Sequence, residues 1–153
     1  MLWSPSEFHV LTIAPHFVPE VMQSPSVRSP IAVSLGAVAG SLSRYYLSIG
    51  SAHYMGTEFP FSTIAVNISG AWIMGLFATL VLDRVLVISP ELRLMIAVGF
   101  LGSFTTFSSH ELDAFHLIEQ RSLGVAIAYL LGYALVGALS LYVGVLTARL
   151  FVP

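Results

Sequence analysis

The sequence predicts an all-α integral membrane protein with four transmembrane helices. Of its 153 residues, 56% are hydrophobic and only 9% are charged, and the mean hydropathy is +0.86. Soluble domains carry about 25% charged residues, so the bilayer is the expected solvent. Apolar segments of about 20 residues, the length that a helix needs to cross a bilayer, follow one another after the first thirty residues.

Composition and motifs exclude several other classes of protein. The chain has no cysteine, which excludes disulfides, thiolate metal sites and cysteine nucleophiles. Six basic and eight acidic residues indicate neither a nucleic-acid surface nor a polybasic lipid-binding surface. His110 and His116 are six residues apart, whereas the zinc motif HExxH needs a spacing of four. No enzymatic activity is expected.

The N-terminal residues 1–29 are predicted to be a disordered extension, and residues 30–153 to be the transmembrane domain. In residues 1–29, prolines recur among serine, histidine and glutamate, a composition that does not form a packed core. The apolar run from Phe8 to Ala14 lacks the basic flank of a signal peptide. Met22 lies just before the first hydrophobic run, where an alternative start codon would be expected.

The first two spans are predicted at residues 31–49 and 61–82. Pro60 precedes the second span, and Asp83 with Arg84 follows it, where charge marks the return to water.

The other two spans are predicted at residues 92–118 and 123–151. The third follows Ser89, Pro90 and Glu91, a helix start with proline at the first position and an acid in the first turn. The fourth is longer than a span requires, so we expect it to tilt or to emerge at its end.

The arginines give little preference for one orientation in the membrane. With four spans they divide four to two between the sides: Arg28, Arg84, Arg93 and Arg149 against Arg44 and Arg121. So small an excess leaves insertion in both orientations open. Four helices enclose little space, so we expect an oligomer with any transport site between subunits.

Small residues along the spans favour close helix packing: Gly36, Gly40, Ala71, Gly75, Gly132, Gly137 and Gly144.

Four polar or charged side chains stand out within the spans. Asn67 lies one turn after Thr63, and its amide is expected either to bond between helices or to line an anion pathway. Arg44 either reaches the interface or attracts anions at a vestibule. Tyr129 and Tyr133 are one turn apart and need hydrogen-bond partners, either on another helix or in a polar track.

Glycine and hydroxyl residues interrupt the third span at residues 102–109. Irregular backbone survives at membrane depth only where it is buried in protein or lines a polar cavity, and broken helices of this kind often bind ions. We therefore expect a break near Thr105 and a helix that resumes near Phe107. One polar stripe would then follow: Thr106, Ser109 or His110, and Asp113.

Four motifs occur in order, roughly one for each span: GAVAGSLSRY at 36–45, TIAVN at 63–67 with Gly75, GFLGSFTTFSS at 99–109, and Tyr129 and Tyr133 with Gly137. With these motifs the chain resembles the Fluc (CrcB) fluoride channels of bacteria over about residues 31–150. The resemblance implies an antiparallel, dual-topology homodimer in the bacterial inner membrane. Two pores at the subunit interface would export fluoride passively and lower its cytoplasmic concentration.

The resemblance also implies roles for individual residues. A structural sodium ion at the dimer centre would be held by the backbone carbonyls of Gly102 and Thr105 from both subunits, and oxygen ligands suit such a hard cation. Asn67 matches the pore asparagine and Phe107 the first phenylalanine of an aromatic box. The full pore-lining set is Thr63, Asn67, Thr106, Phe107, Ser109, His110, Tyr129 and Tyr133, with Arg44 at the vestibule.

His110 departs from the family pattern, because it stands where the second box phenylalanine would be, three residues after Phe107. An imidazole still presents a polarised ring edge, but it can also donate an N–H or become protonated near neutral pH. We therefore expect fluoride passage to vary with pH.

Other functions stay open at this point. A proton-coupled exporter of the small multidrug resistance type needs a carboxylate in the first span, and residues 31–49 contain none. A fluoride–proton antiporter is suggested by His110 and Glu111. A structural membrane protein would use Asn67 and the third-span break only for helix packing.

Overall fold

The computed structural model describes residues 24–83 and 85–151, whose regular structure is entirely helical. The helices are α1 (Pro25–Met55), α2 (Phe61–Leu82), α3 (residues 90–104), α4 (Phe107–Gln120) and α5 (Leu123–Arg149). α3 is composite, with an α-helical start (Pro90–Arg93), π-helical turns (Leu94–Leu101) and a last α-helical turn (Gly102–Phe104). Residues 1–23 of the predicted extension, and Arg84, lie outside the described residues.

The structure corrects the predicted N-terminal boundary of the domain. α1 begins at Pro25, so residues 25–29, expected to be disordered, form its first turns. Proline suits the first helical position because the N–H it lacks would have no partner there. Pro30 lies inside the helix and removes one further hydrogen bond, which the prediction took as a barrier to helix formation.

The other helix bounds lie within two residues of the predicted ones, except the end of α1, which lies at Met55 rather than at residue 49. α2 matches the second predicted span residue for residue. α3 begins at Pro90, where the Ser89 hydroxyl accepts a hydrogen bond from the backbone N–H of Leu92 at 3.2 Å. The predicted helix start after Ser89 is therefore confirmed.

Among the described residues, three helical segments are long and apolar enough to cross a membrane: Phe61–Leu82, Pro90–Gln120 and Leu123–Arg149. α1 is long enough at 31 residues, but its serines and Arg44 lower its mean hydropathy below that of the other three. The chain is thus a multi-pass helical membrane protein, and α1 fits as a fourth, more polar span.

The helices pack in two close pairs, α1 with α3 and α2 with α5. A Cβ atom at Gly36 would collide with the Met95 carbonyl, and one at Gly40 with the Phe100 carbonyl. In the second pair, Gly75 lies against the Leu141 carbonyl and Gly144 against the Trp72 carbonyl. Only glycine permits this approach, which confirms the predicted packing role of these four positions.

Two other glycines of α5 have a different environment. A Cβ atom at Gly132 or Gly137 would meet nothing within 4 Å. Their predicted role in close packing is therefore not fulfilled within one chain.

Within residues 24–83 and 85–151, two ion pairs join elements at the ends of the bundle. Arg28 at the start of α1 lies 3.6 Å from Glu91 at the start of α3 (Nε to Oε1). Arg121, after α4, lies 3.7 Å from Glu58 in the α1–α2 loop (Nη2 to Oε2). α1 and α3 therefore start at the same end of the bundle, and α4 ends where α2 begins, as an alternating four-span arrangement requires.

Candidate ion site

Thr105 and Thr106 separate α3 from α4, and both have extended backbone. Their φ and ψ angles are −77° and 155° for Thr105 and −147° and 119° for Thr106. Thr106 caps α4, since its Oγ1 accepts a hydrogen bond from the Ser109 N–H at 3.2 Å. Extended residues at this depth leave backbone groups without helical partners, and those groups need other ones.

Asn67 supplies these partners for Thr106. Its Nδ2 donates to the Thr106 carbonyl at 3.0 Å, and its Oδ1 accepts from the Thr106 N–H at 2.7 Å. The second Nδ2 hydrogen goes to the Thr63 carbonyl one turn earlier, at 3.0 Å. The interhelical bond expected for Asn67 is therefore present, and both of its N–H donors are used within the chain.

The interruption releases several carbonyls from helical pairing, and those of Gly102 and Thr105 are among them. In a continuous helix the Thr106 N–H would bond to the Gly102 carbonyl, but here it donates to Asn67. The Ser109 N–H would likewise bond to the Thr105 carbonyl, but here it donates to the Thr106 hydroxyl. Gly102 and Thr105, the two residues predicted as sodium ligands, thus lose their helical i→i+4 acceptor bonds.

Gly70 allows the interruption to lie against α2. A Cβ atom at this position would collide with Cγ2 of Thr105 and lie 3.2 Å from Cδ1 of Phe104. Gly70 was not among the packing or site residues predicted from the sequence. Its position three residues after Asn67, on the same helical face, was the available signal.

A cavity of about 240 Å³, here called the hydroxyl pocket, lies beside the interruption among α1, α2 and the start of α4. Its polar lining combines one guanidinium with hydroxyl groups and contains no carboxylate: Ser41, Arg44, Tyr45, Ser48, Ser62, Thr63, Thr106 and Ser109. Four of the predicted site residues meet here, namely Arg44, Thr63, Thr106 and Ser109. The α1 serines were missed, although Ser41, Arg44 and Ser48 have the spacing of one helical face.

A second cavity of about 400 Å³, here called the apolar groove, is open to the outside of the chain. Asn67, Thr106, Phe107 and Tyr133 line it, together with Gly137 and other small or apolar residues of α2 and α5. Phe107 is 73% exposed, so most of its ring has no partner within the chain. Thr106 lines both cavities.

His110 lies behind the groove wall and lines neither cavity. It is 4% exposed, and its ring stacks on Tyr133 with a centroid distance of 3.7 Å and lies 4.8 Å from Tyr129. Both ring nitrogens are buried without a hydrogen-bond partner. Oε1 of Glu111 is 3.5 Å from Nδ1.

Tyr129 also packs inside the chain. Its ring belongs to a core cluster with Ala114, Leu117 and Ala126. Its hydroxyl donates to Oδ2 of Asp113 at 3.4 Å, which supplies the partner that a buried tyrosine needs. The predicted set therefore divides into residues that line the two cavities and a pair, His110 and Tyr129, that supports the groove from behind.

Fold and site together define a class: a multi-pass helical membrane protein whose interrupted third helical segment carries hydrogen-bond donors and released carbonyls beside two cavities. Residues 31–145 match the family described as CrcB-like protein, Camphor Resistance (CrcB). The chain belongs to this family.

Curated relatives of this family are named fluoride-specific ion channel FluC. One from Trichormus variabilis is 51% identical over 130 residues, which cover 85% of this chain and 95% of the relative. One from a Synechococcus strain is 52% identical over 130 residues, covering 85% of this chain and 99% of the relative. One from a Synechocystis strain is 44% identical over 124 residues, covering 81% and 95%.

Proposed function

We propose that this protein is a fluoride-selective ion channel that exports fluoride passively and lowers its cytoplasmic concentration. The hydroxyl pocket carries the proposal, because its charged and polar lining is donor-rich and has no carboxylate to repel an anion. A selective pore must replace the water shell of its ion with protein groups, and O–H and guanidinium donors can do so for a small anion. The printed names of the relatives support the same ion.

The route from the pocket passes Thr106, which also lines the apolar groove. There the next group is Phe107, whose ring edge carries partial positive charge and holds an anion weakly. Weak sites in series favour conduction, since an ion must enter each site and also leave it.

The complete channel is proposed to be an antiparallel, dual-topology homodimer. Two observations support a second copy at the apolar groove: the open groove itself and the 73% exposure of Phe107 at its edge. A ring that is exposed in one chain would line an enclosed path once another chain covers the groove. The weak arginine bias is compatible with both orientations.

A structural sodium ion is proposed at the centre of that dimer. The donor set fits a hard cation, because Gly102 and Thr105 each offer a neutral carbonyl oxygen that helical pairing has released. Two oxygens from one chain are too few, so the site needs both copies. The ion would supply positive charge between the subunits.

The proposed location is the bacterial inner membrane.

Among the alternative functions, a transporter of the small multidrug resistance type is disfavoured because α1 has no carboxylate anywhere in Pro25–Met55. A purely structural membrane protein is the second candidate, since both side-chain N–H groups of Asn67 already bond to backbone carbonyls of the same chain.

Fluoride efflux from liposomes separates the two candidates. Purified protein should release trapped fluoride, and Phe107→Ile or Asn67→Asp should reduce the rate by roughly tenfold or more, the effect of losing about 1.4 kcal/mol of stabilisation along the path. Phe115→Ile is the matched control, because Phe115 is an exposed phenylalanine of the same helix that lines neither cavity. Folded protein that releases no fluoride would favour the structural candidate.

A further inference from the structure

We propose that His110 and Glu111 form a proton-binding pair that makes the anion path pH-sensitive; this inference rests on the proposed channel function. His110 is the buried side chain whose ring nitrogens have no partner among the described residues. A buried polar atom without a partner is costly, so this ring is expected to bind something.

The geometry selects a proton rather than a larger ligand. Both ring nitrogens are sealed by the protein, which leaves no space for an anion or a water molecule. The Glu111 carboxylate lies 3.5 Å from Nδ1, within reach of a charge-assisted bond after a small movement. Its side chain is 49% exposed, so part of it lies outside the buried environment of the ring.

The other groups around His110 leave Glu111 as its nearest ionic partner. α4 packs against α2 and α5. α2 contains no charged residue, and the charge on α5 is Arg149, at its far end. From α5 the titratable groups facing His110 are Tyr129 and Tyr133; from α4 they are Glu111 and Asp113, the latter bonded to Tyr129.

A proton bound by His110 would act electrostatically on the apolar groove, although His110 does not line it. The imidazole stacks on Tyr133 and lies 6.3 Å from the Phe107 ring, and both of these rings line the apolar groove. A positive charge behind the wall raises the local concentration of anions. At a separation on the order of 10 Å and an effective dielectric of about 20, the effect is roughly tenfold before Glu111 screens part of it.

The first arm of the test follows the proton itself. Nitrogen-15 NMR of histidine-labelled protein in lipid nanodiscs, compared with His110→Phe, identifies the signals of this ring. If the ring binds a proton, these signals should change from those of the neutral form to those of the protonated form as the pH is lowered from about 8 to 5. In Glu111→Gln the change should be smaller or absent, because the carboxylate that would pair with the charged ring is gone. A ring that stays neutral across this range would overturn the proposal.

The second arm measures fluoride efflux from liposomes at pH 5.5 and 7.5. The parent protein and the control His116→Gln, an exposed histidine of the same helix, should both be at least about threefold faster at pH 5.5. His110→Phe should give the same rate at both values. Empty liposomes correct for leakage of hydrogen fluoride. Equal rates in the parent would overturn the proposal, whereas absence of flux at both pH values would contradict the channel function and leave the NMR arm to decide on the proton site.

Discussion

Asn67 and Thr106 hold the site together at the level of single residues. One amide pairs with both backbone groups of an extended residue and with a carbonyl of its own helix. No other uncharged side chain except glutamine offers two N–H donors and a carbonyl acceptor, and glutamine is one methylene longer. The interruption can therefore exist at membrane depth because Asn67 replaces the bonds that the helix has lost.

Replacing Asn67 with leucine should destabilise the fold. The change leaves the Thr106 N–H and carbonyl unpaired, and each buried unpaired group costs about 1–3 kcal/mol. We expect a loss of about 2–4 kcal/mol in the free energy of unfolding, measured by denaturation in detergent micelles. Ser140→Ala is the control, because it removes a single interhelical bond, from Oγ to the Ile68 carbonyl at 2.8 Å. That bond should be worth about 0.6 kcal/mol, and equal losses in both variants would contradict this account of Asn67.

The need of Asn67 for a partner was predictable, but the partner itself was not. A buried amide must bond to something, yet Thr106 is 39 residues away in sequence and its backbone groups are free only because the helix ends there. The same limit applies to His110. The family resemblance predicted that His110 lines the pore, whereas in the structure its ring lies behind Tyr133. The direction in which each side chain of α4 points depends on the residue at which the helix begins, and Thr106 sets that residue as the N-cap.

At the scale of elements, the two close helix pairs fix the position of the interruption. α3 carries π-helical turns over Leu94–Leu101 directly before the interruption, and such turns are frequent at functional sites. Gly36 and Gly40 bring α1 against these turns, while Gly70 brings α2 against Thr105. The turns before the interruption are thus held by the backbone of α1, and Thr105 lies against the backbone of α2.

Gly75→Ala should show how closely α2 and α5 pack. The added methyl group would collide with the Leu141 carbonyl, and overpacking of this kind costs about 1–3 kcal/mol. Gly132→Ala is the matched control on α5, since a Cβ atom there meets nothing within 4 Å. The control should be neutral or stabilising by up to about 1 kcal/mol through helix propensity. Thermal unfolding of the two variants in the same detergent distinguishes them, and equal melting temperatures would contradict the predicted packing.

Most helix boundaries followed from charge and proline in the sequence. Pro60 and Asp83 bracket α2, and Ser89 marks the start of α3. The start of α1 did not follow, because prolines at positions 25 and 30 were taken as evidence against a helix. The π-helical turns were also beyond prediction, because the i→i+5 pattern depends on tertiary packing rather than on a local residue preference.

At the scale of the whole molecule, one chain presents an incomplete site. The apolar groove is open and Phe107 is mostly exposed, so the proposed path needs a second copy to enclose it. The sodium site proposed at the carbonyls of Gly102 and Thr105 would also need a second copy. Composition predicted a small membrane protein that assembles, but the contacts between copies depend on surfaces that no local pattern defines.

The cysteine-free chain allows a direct measurement of topology. Thr57→Cys in the α1–α2 loop and Asp83→Cys after α2 each introduce one exposed thiol, at opposite ends of the bundle. With dual topology, a membrane-impermeant maleimide should label about half of either variant in intact cells. Complete labelling of one variant and none of the other would instead show a single orientation.

The central claim is that the protein conducts fluoride passively and selectively, and electrical coupling of efflux tests it most directly. Liposomes containing purified protein are loaded with potassium fluoride or potassium chloride and diluted into medium free of both anions. We expect that fluoride leaves only when valinomycin lets potassium follow, that chloride stays inside, and that Phe107→Ile slows the release. Release of fluoride without charge compensation, release of chloride at a similar rate, or no release by folded protein would contradict it.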